Sequence, residues 1–164
     1  MLNELYNKRI LELAADIPLT ERLAAPDASS TKVSKLCGSR VTVDVTVEKD
    51  RVTGYGAEIR ACALGQASSS IMARHVVGAS AEELHAVAAA MRAMLKEGAE
   101  APSIWPDLAI LEPVRDYKAR HASTLLVFEA VEEAVDMAMA KNRQELEGSE
   151  TQGALPTLTS TGPA

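Results

Sequence analysis

The chain has 164 residues and a mass of 17.4 kDa, a length that suits one domain around one core. Apolar residues make up 47% of it but aromatic residues only 3%, so the core is expected to consist of Ala, Val, Leu, Ile and Met on closely packed helices. A formal charge of -6 and a pI near 5.1 argue against a nucleic-acid surface, which needs clustered Lys and Arg with exposed aromatics.

The N-terminal segment includes Glu4, Lys8 and Arg9, which leaves no apolar run for a signal peptide, and no later stretch reaches membrane-spanning length. A cytoplasmic protein with no membrane partner is the expectation. The two cysteines are then expected as thiols or metal ligands rather than as a structural disulfide.

Leu2, Leu5, Ile10, Leu11 and Leu13 recur at roughly helical spacing, so a helix is expected up to Ala15, stopping before Pro18. Residues 17–30 turn to Pro, Ala, Ser, Thr and Asp and read as an irregular lead-in. Thr31 to Leu36 is expected as a short strand. Arg40 to Glu48 alternates without exception, with Val41, Val43, Val45 and Val47 on one face and Thr42, Asp44, Thr46 and Glu48 on the other. Lys49-Asp50 supplies a tight turn, and Arg51 to Arg60 returns as a second strand in which Gly54 and Gly56 either weaken the strand or mark a close backbone approach. Leu64 to Val77 is expected as a helix stopped by Gly78. Ser80 with Glu83 forms a capping-box signature for a helix over Ala81 to Glu97, ended by Gly98. After a loop, Leu108 to Val114 is expected to add a short turn and Ala119 to about Glu147 a long helix. Residues 148–164 are rich in Gly, Ser, Thr and Pro and are expected to be disordered. The fold class is therefore α+β, a small antiparallel sheet of two to three strands with helices packed on one face, in a single domain over residues 1–147.

Cys37 and Cys62 are the only cysteines, and each lies at a predicted junction: Cys37 just before the alternating strand, Cys62 between the returning strand and a helix. The antiparallel return puts them at one edge of the sheet. Buried cysteines often only fill space. Here Gly38 and the Ala63-Leu64-Gly65 run allow close backbone approach, and Cys62 precedes a helix N-terminus, whose dipole favours thiolate. Thiolates so placed suit a soft metal or an iron-sulfur cluster. His75 and His85 lie ten residues apart without ligand spacing and are expected as surface or satisfied histidines. Glu129, Glu132, Glu133 and Asp136 are expected as the solvated face of the last helix.

These segments resemble the NifU N-terminal family of iron-sulfur cluster assembly scaffolds, which includes IscU and SufU. The resemblance runs from about Leu2 to Val135. It is strongest at Leu36-Cys37-Gly38 and at Ala61-Cys62-Ala63-Leu64-Gly65-Gln66-Ala67-Ser68, and weaker at Lys118-Ala119-Arg120 with Ser123-Thr124-Leu125-Leu126. It implies an IscU/SufU-like fold and a non-enzymatic protein that binds a [2Fe-2S] cluster, iron or zinc. It also implies a cysteine desulfurase and recipient apo-proteins as partners. Family members hold the metal with three cysteines and an acidic residue. Carried onto this chain, two of those positions are Cys37 and Cys62, the acidic position falls on Ser39, and the third cysteine falls on Ser123. A serine hydroxyl ionises far above neutral pH and is no natural replacement for a thiolate. His121, two residues before Ser123, and Asp44 are the further ligand candidates. Two protomers contributing Cys37 and Cys62 apiece would supply four thiolates in a homodimer. The other readings are a metal-free, degenerate scaffold that faces a cysteine desulfurase as an interaction module, and a persulfide relay.

Overall fold

A computed structural model describes residues 6–154, and for residues 150–154 the backbone only. Helix α1 spans Lys8–Ala15, its start capped by the Asn7 side chain, which accepts a hydrogen bond from the Ile10 N–H at 3.1 Å. Strands β1 (Ala28–Val33), β2 (Arg40–Glu48) and β3 (Arg51–Arg60) form one antiparallel sheet in the order β1-β2-β3. Helices α2 (Ala63–His75) and α3 (Ala81–Glu97) follow, then two 3-10 helices, Pro106–Asp116 and Lys118–Arg120, and the long helix α4 (His121–Ala154). The α+β class with helices on one sheet face is as expected.

The hairpin β2–β3 and helix α3 have the expected bounds. Two elements differ by more than two residues. The first strand lies over Ala28–Val33 rather than Thr31 to Leu36, because Ala28 and Ser30 are the residues small enough to turn inward under α4; Ser30 donates to Glu133 of α4 at 2.5 Å. Leu36 falls in the connecting loop and is 81% exposed. Helix α4 continues to Ala154, past the expected boundary at Gly148; the remainder of the expected disordered tail, and the N-terminal start of the first expected helix, lie outside the described residues.

Val41, Val43, Val45 and Val47 turn inward and meet Leu125, Phe128 and Val131 of α4, with Leu64 and Ile71 of α2 and Leu84, Val87 and Met91 of α3 completing a buried core. The opposite face of the sheet is not simply solvated. The lead-in crosses it, and Asp44, fully buried, fastens it: Arg22 donates to both carboxylate oxygens at 2.7 and 3.0 Å, the Leu23 N–H donates at 3.0 Å and Ser29 Oγ at 2.5 Å. Burial pushes this carboxyl up, but these donors together outweigh it and hold Asp44 below the usual carboxylate range. Leu19 O accepts from the Ala57 N–H at 3.1 Å, and a Cβ on Gly56 would lie 2.1 Å from Glu21 O. Gly56 thus marks the close approach its position suggested.

Glu133 and Asp136 of α4 are exposed, as expected of a solvated face, but they and Glu132 also reach partners on neighbouring elements. Glu132 and Asp136 each accept from a ring nitrogen of His85 on α3, both at 2.7 Å, Glu132 also pairs with Arg92, and Glu133 pairs with Lys32 of β1. They clamp α4 to its neighbours, and the hydrogen bond to Asp136 is the first cause that raises the His85 pKa. His75 is likewise satisfied, bonded to Asp107 and stacked on Trp105 at 4.9 Å between ring centroids.

Candidate metal centre

Three segments meet at one end of the sheet: the β1–β2 loop, the start of α2 and the start of α4. The loop is closed by two backbone bonds, Gly38 N–H to Ser34 O and Ser34 N–H to Ser39 O, both 2.8 Å. Gly38 takes a φ of 72°, in the left-handed region that favours glycine. This geometry presents Cys37 outward while Ser34 and Ser39 stay buried behind it. The Cys37 thiol lies 3.0 Å from Ser39 Oγ and donates to Ser34 Oγ at 3.5 Å.

Cys62 is the N-cap residue of α2 and half-buried. Its thiol donates to Ser123 Oγ at 3.5 Å, and Ser123, in the first turn of α4, donates in turn to Arg120 O at 3.2 Å. Gly65 makes this meeting of helices fit, since a Cβ there would lie 2.7 Å from Ala61 Cβ and 3.2 Å from Ser123 O. Arg40 pairs with Arg60 across the hairpin, so Cys37 beside Ser39 and Cys62 beside Ser123 leave the same end of the sheet.

Hydrogen bonds from Ser34 and then Ser39 pull the Cys37 pKa down to about 7, partial burial opposes them, and Ser123 adds to the lowering. Cys62 caps the N-terminus of α2, whose dipole favours negative charge there. Cys37 is therefore expected to react with iodoacetamide with a half-maximal rate near pH 7 rather than 9. At neutral pH its larger thiolate fraction, reduced by its lower nucleophilicity, gives a net rate about sixfold above that of an ordinary thiol. Mass spectrometry of the alkylated chain across a pH series measures both; a midpoint near 9 would contradict the hydrogen bonding described.

The further ligand candidates are not brought in. Asp44 lies on the opposite face of the sheet, committed to Arg22, Leu23 and Ser29. His121 is buried, and its Nε2 bonds the carbonyl oxygens of Val114 and Arg115 at 3.1 and 3.0 Å. Among the described residues no three His, Cys, Asp or Glu side chains come together to hold a metal ion. The donor set of this chain is two thiols and two hydroxyls. Beside it a groove of about 570 Å³ runs past Ser34, His121 and Ala122, with Leu125 and Leu126 on its floor and Lys96 and Lys118 on its rim. This groove was not legible in the sequence, because its walls come from α3, α4 and the β1–β2 loop. Among the described residues no helix is long and apolar enough to cross a membrane.

The sequence model of the NifU-like N terminal domain matches residues 5–144. Among solved structures, the N-terminal part of a nitrogen-fixing NifU-like protein from Brucella abortus is 52% identical, with a TM-score of 0.83, covering 85% of this chain and 98% of that one. A putative iron-sulfur cluster assembly scaffold protein for the SUF system from Fervidobacterium islandicum AW-1 is 20% identical, with a TM-score of 0.74 over 80% of this chain and 96% of that one. At that identity the likeness bears on the fold alone. No curated protein matches.

Proposed function

Since the chain belongs to the NifU-like N terminal domain family, we propose that it is an iron-sulfur cluster assembly scaffold or carrier that holds a [2Fe-2S] cluster, iron or zinc through Cys37 and Cys62 and passes it on. One observation supports this reading: the only two thiols leave the same end of the sheet, Cys37 exposed beside Ser39 and Cys62 in contact with Ser123. Thiolates are soft donors that suit these metals. Ser39 and Ser123 occupy the remaining places of the pocket as poor ligands, so the cargo is held by half a shell and leaves readily. The missing ligands come from outside the chain, either from Cys37 and Cys62 of a second copy or from the protein that receives the cargo. The chain works by binding and transfer, without turnover, and its partners are a cysteine desulfurase as sulfur source and recipient apo-proteins.

Anaerobic reconstitution with iron and sulfide tests this. The parent chain is expected to gain cluster absorption bands and iron, and Cys37→Ser or Cys62→Ser is expected to abolish both. Iron bound equally by the variants would overturn the assignment. The two serines favour a second reading, in which the chain is a metal-free module that docks a cysteine desulfurase or relays persulfide through Cys37. In that case no metal is retained, partner binding survives loss of both thiols, or a mass gain of one sulfur appears on Cys37 and not on Cys62.

A further inference from the structure

The outer face of the sheet carries a second polar site at the end where the cysteines emerge. Strand register sets its rows: Val33, Arg40 and Arg60 lie side by side, then Thr31, Thr42 and Glu58, then Ser29, Asp44 and Gly56. Arg22 reaches over the third row from the lead-in. Together Arg22, Ser29, Thr31, Arg40, Thr42, Glu58 and Arg60 line a concavity of about 300 Å³ with no apolar side chain.

Arg40 and Arg60 are direct cross-strand partners, and like charges so placed destabilise a sheet. Arg22 is already held by Asp44 and lies 3.9 Å from Glu58, and Arg60 is 3.3 Å from Glu58 with its side chain 78% exposed. Arg40 has no ion pair among the described residues. Three guanidinium groups against two carboxylates leave this concavity positive in a chain of formal charge -6. Protection of a sheet edge does not account for the pair, because Arg40 stands on the central strand.

We infer that this concavity binds a small multivalent oxyanion, of the phosphate or polycarboxylate class, bridged between Arg40 and Arg60. The planar guanidinium forks suit bidentate contact with such oxygens, and the paired hydroxyls of Thr31 and Thr42, 2.8 Å apart, supply a further donor beside them. A bound anion removes the repulsion between the two arginines. Arg40 directly follows Ser39, and Arg60 stands two residues before Cys62, so the anion also ties together the strand ends from which both thiols project. The inference stands on the sheet's own geometry and is independent of any cargo on the thiols.

The test is titration of the full chain with inorganic phosphate and, separately, citrate, each against sodium chloride of equal ionic strength, followed by thermal unfolding and calorimetry. At least one of the two is expected to give a saturable rise in Tm beyond chloride, and which one does so assigns the phosphate or the carboxylate class. Arg40→Gln and Arg60→Gln are each expected to weaken binding about tenfold, the loss of a charge-assisted contact, and the double variant to lose it. In chloride alone the double variant should be at least as stable as the parent, so a lost response is not a lost fold. A response to both anions no greater than to chloride, or one that survives in the double variant, overturns the inference.

Discussion

Gly56→Ala is expected to destabilise the protein by about 3 kcal/mol, the upper end of what overpacking costs. For a chain of this size that corresponds to a fall in Tm of roughly 6–12 °C. The added Cβ would stand 2.1 Å from Glu21 O and 3.2 Å from the Leu23 nitrogen, so backbone must move. The segment it would displace is the one fastened by the Asp44 hydrogen bonds, and those weaken with it. Gly54→Ala is the matched control. Its Cβ would meet Thr46 Oγ1 at 2.5 Å, a side chain that rotates away by giving up its bond to Thr53, for about 1 kcal/mol. Thermal unfolding of both variants gives the comparison, and an unchanged Tm for Gly56→Ala would mean that the lead-in does not lie on β3.

If the proposed function holds, replacing Ser39 and Ser123 by ligand residues is expected to turn a labile site into a retentive one. Ser39 Oγ is 3.0 Å from the Cys37 sulfur and Ser123 Oγ 3.5 Å from the Cys62 sulfur, so a carboxylate at the first position and a thiolate at the second would each stand beside one of the two thiols. Ser39→Asp combined with Ser123→Cys should slow the loss of iron to a chelator by more than the roughly 10- to 100-fold that outer-shell partners contribute. Single-site ligands should appear with one cluster per protomer, whatever the oligomeric state. The measurement is the rate at which a reconstituted sample loses its visible absorption to an excess of chelator. Equal rates in parent and double variant would mean that these serines do not stand in a ligand shell.

The parts of this fold that were legible in the sequence are those where one rule governs. Strict alternation from Val41 to Val47 fixed β2, and Ser80 with Gly98 fixed both ends of α3, with the Ser80 side chain accepting from the Glu83 N–H at 3.1 Å. β1 was misplaced because Ala28, Ser29 and Ser30 have weak strand preference; their place in the sheet comes from pairing with Val45, Asp44 and Val43. That Cys37 and Cys62 leave the same end of the sheet follows from the antiparallel return, with Arg40 opposite Arg60. The carboxylates were harder to read: Asp44 continues a polar alternation that signals solvent, yet it is buried by a segment whose composition signals only a loop. Nor does spacing along α4 tell that Glu132 and Asp136 face His85, since partners 47 and 51 residues apart are set by tertiary packing.

The contact between Cys62 and Ser123 sets an order of events during synthesis. Ser123 lies 61 positions beyond Cys62, on a helix that leaves the ribosome after both thiols. Until α4 docks on the sheet, the two cysteines are separate side chains on a growing chain, and contacts between such distant segments form only once the loop between them has closed. A half-made chain therefore lacks this contact, and under the proposed function metal loading is confined to molecules that have finished folding.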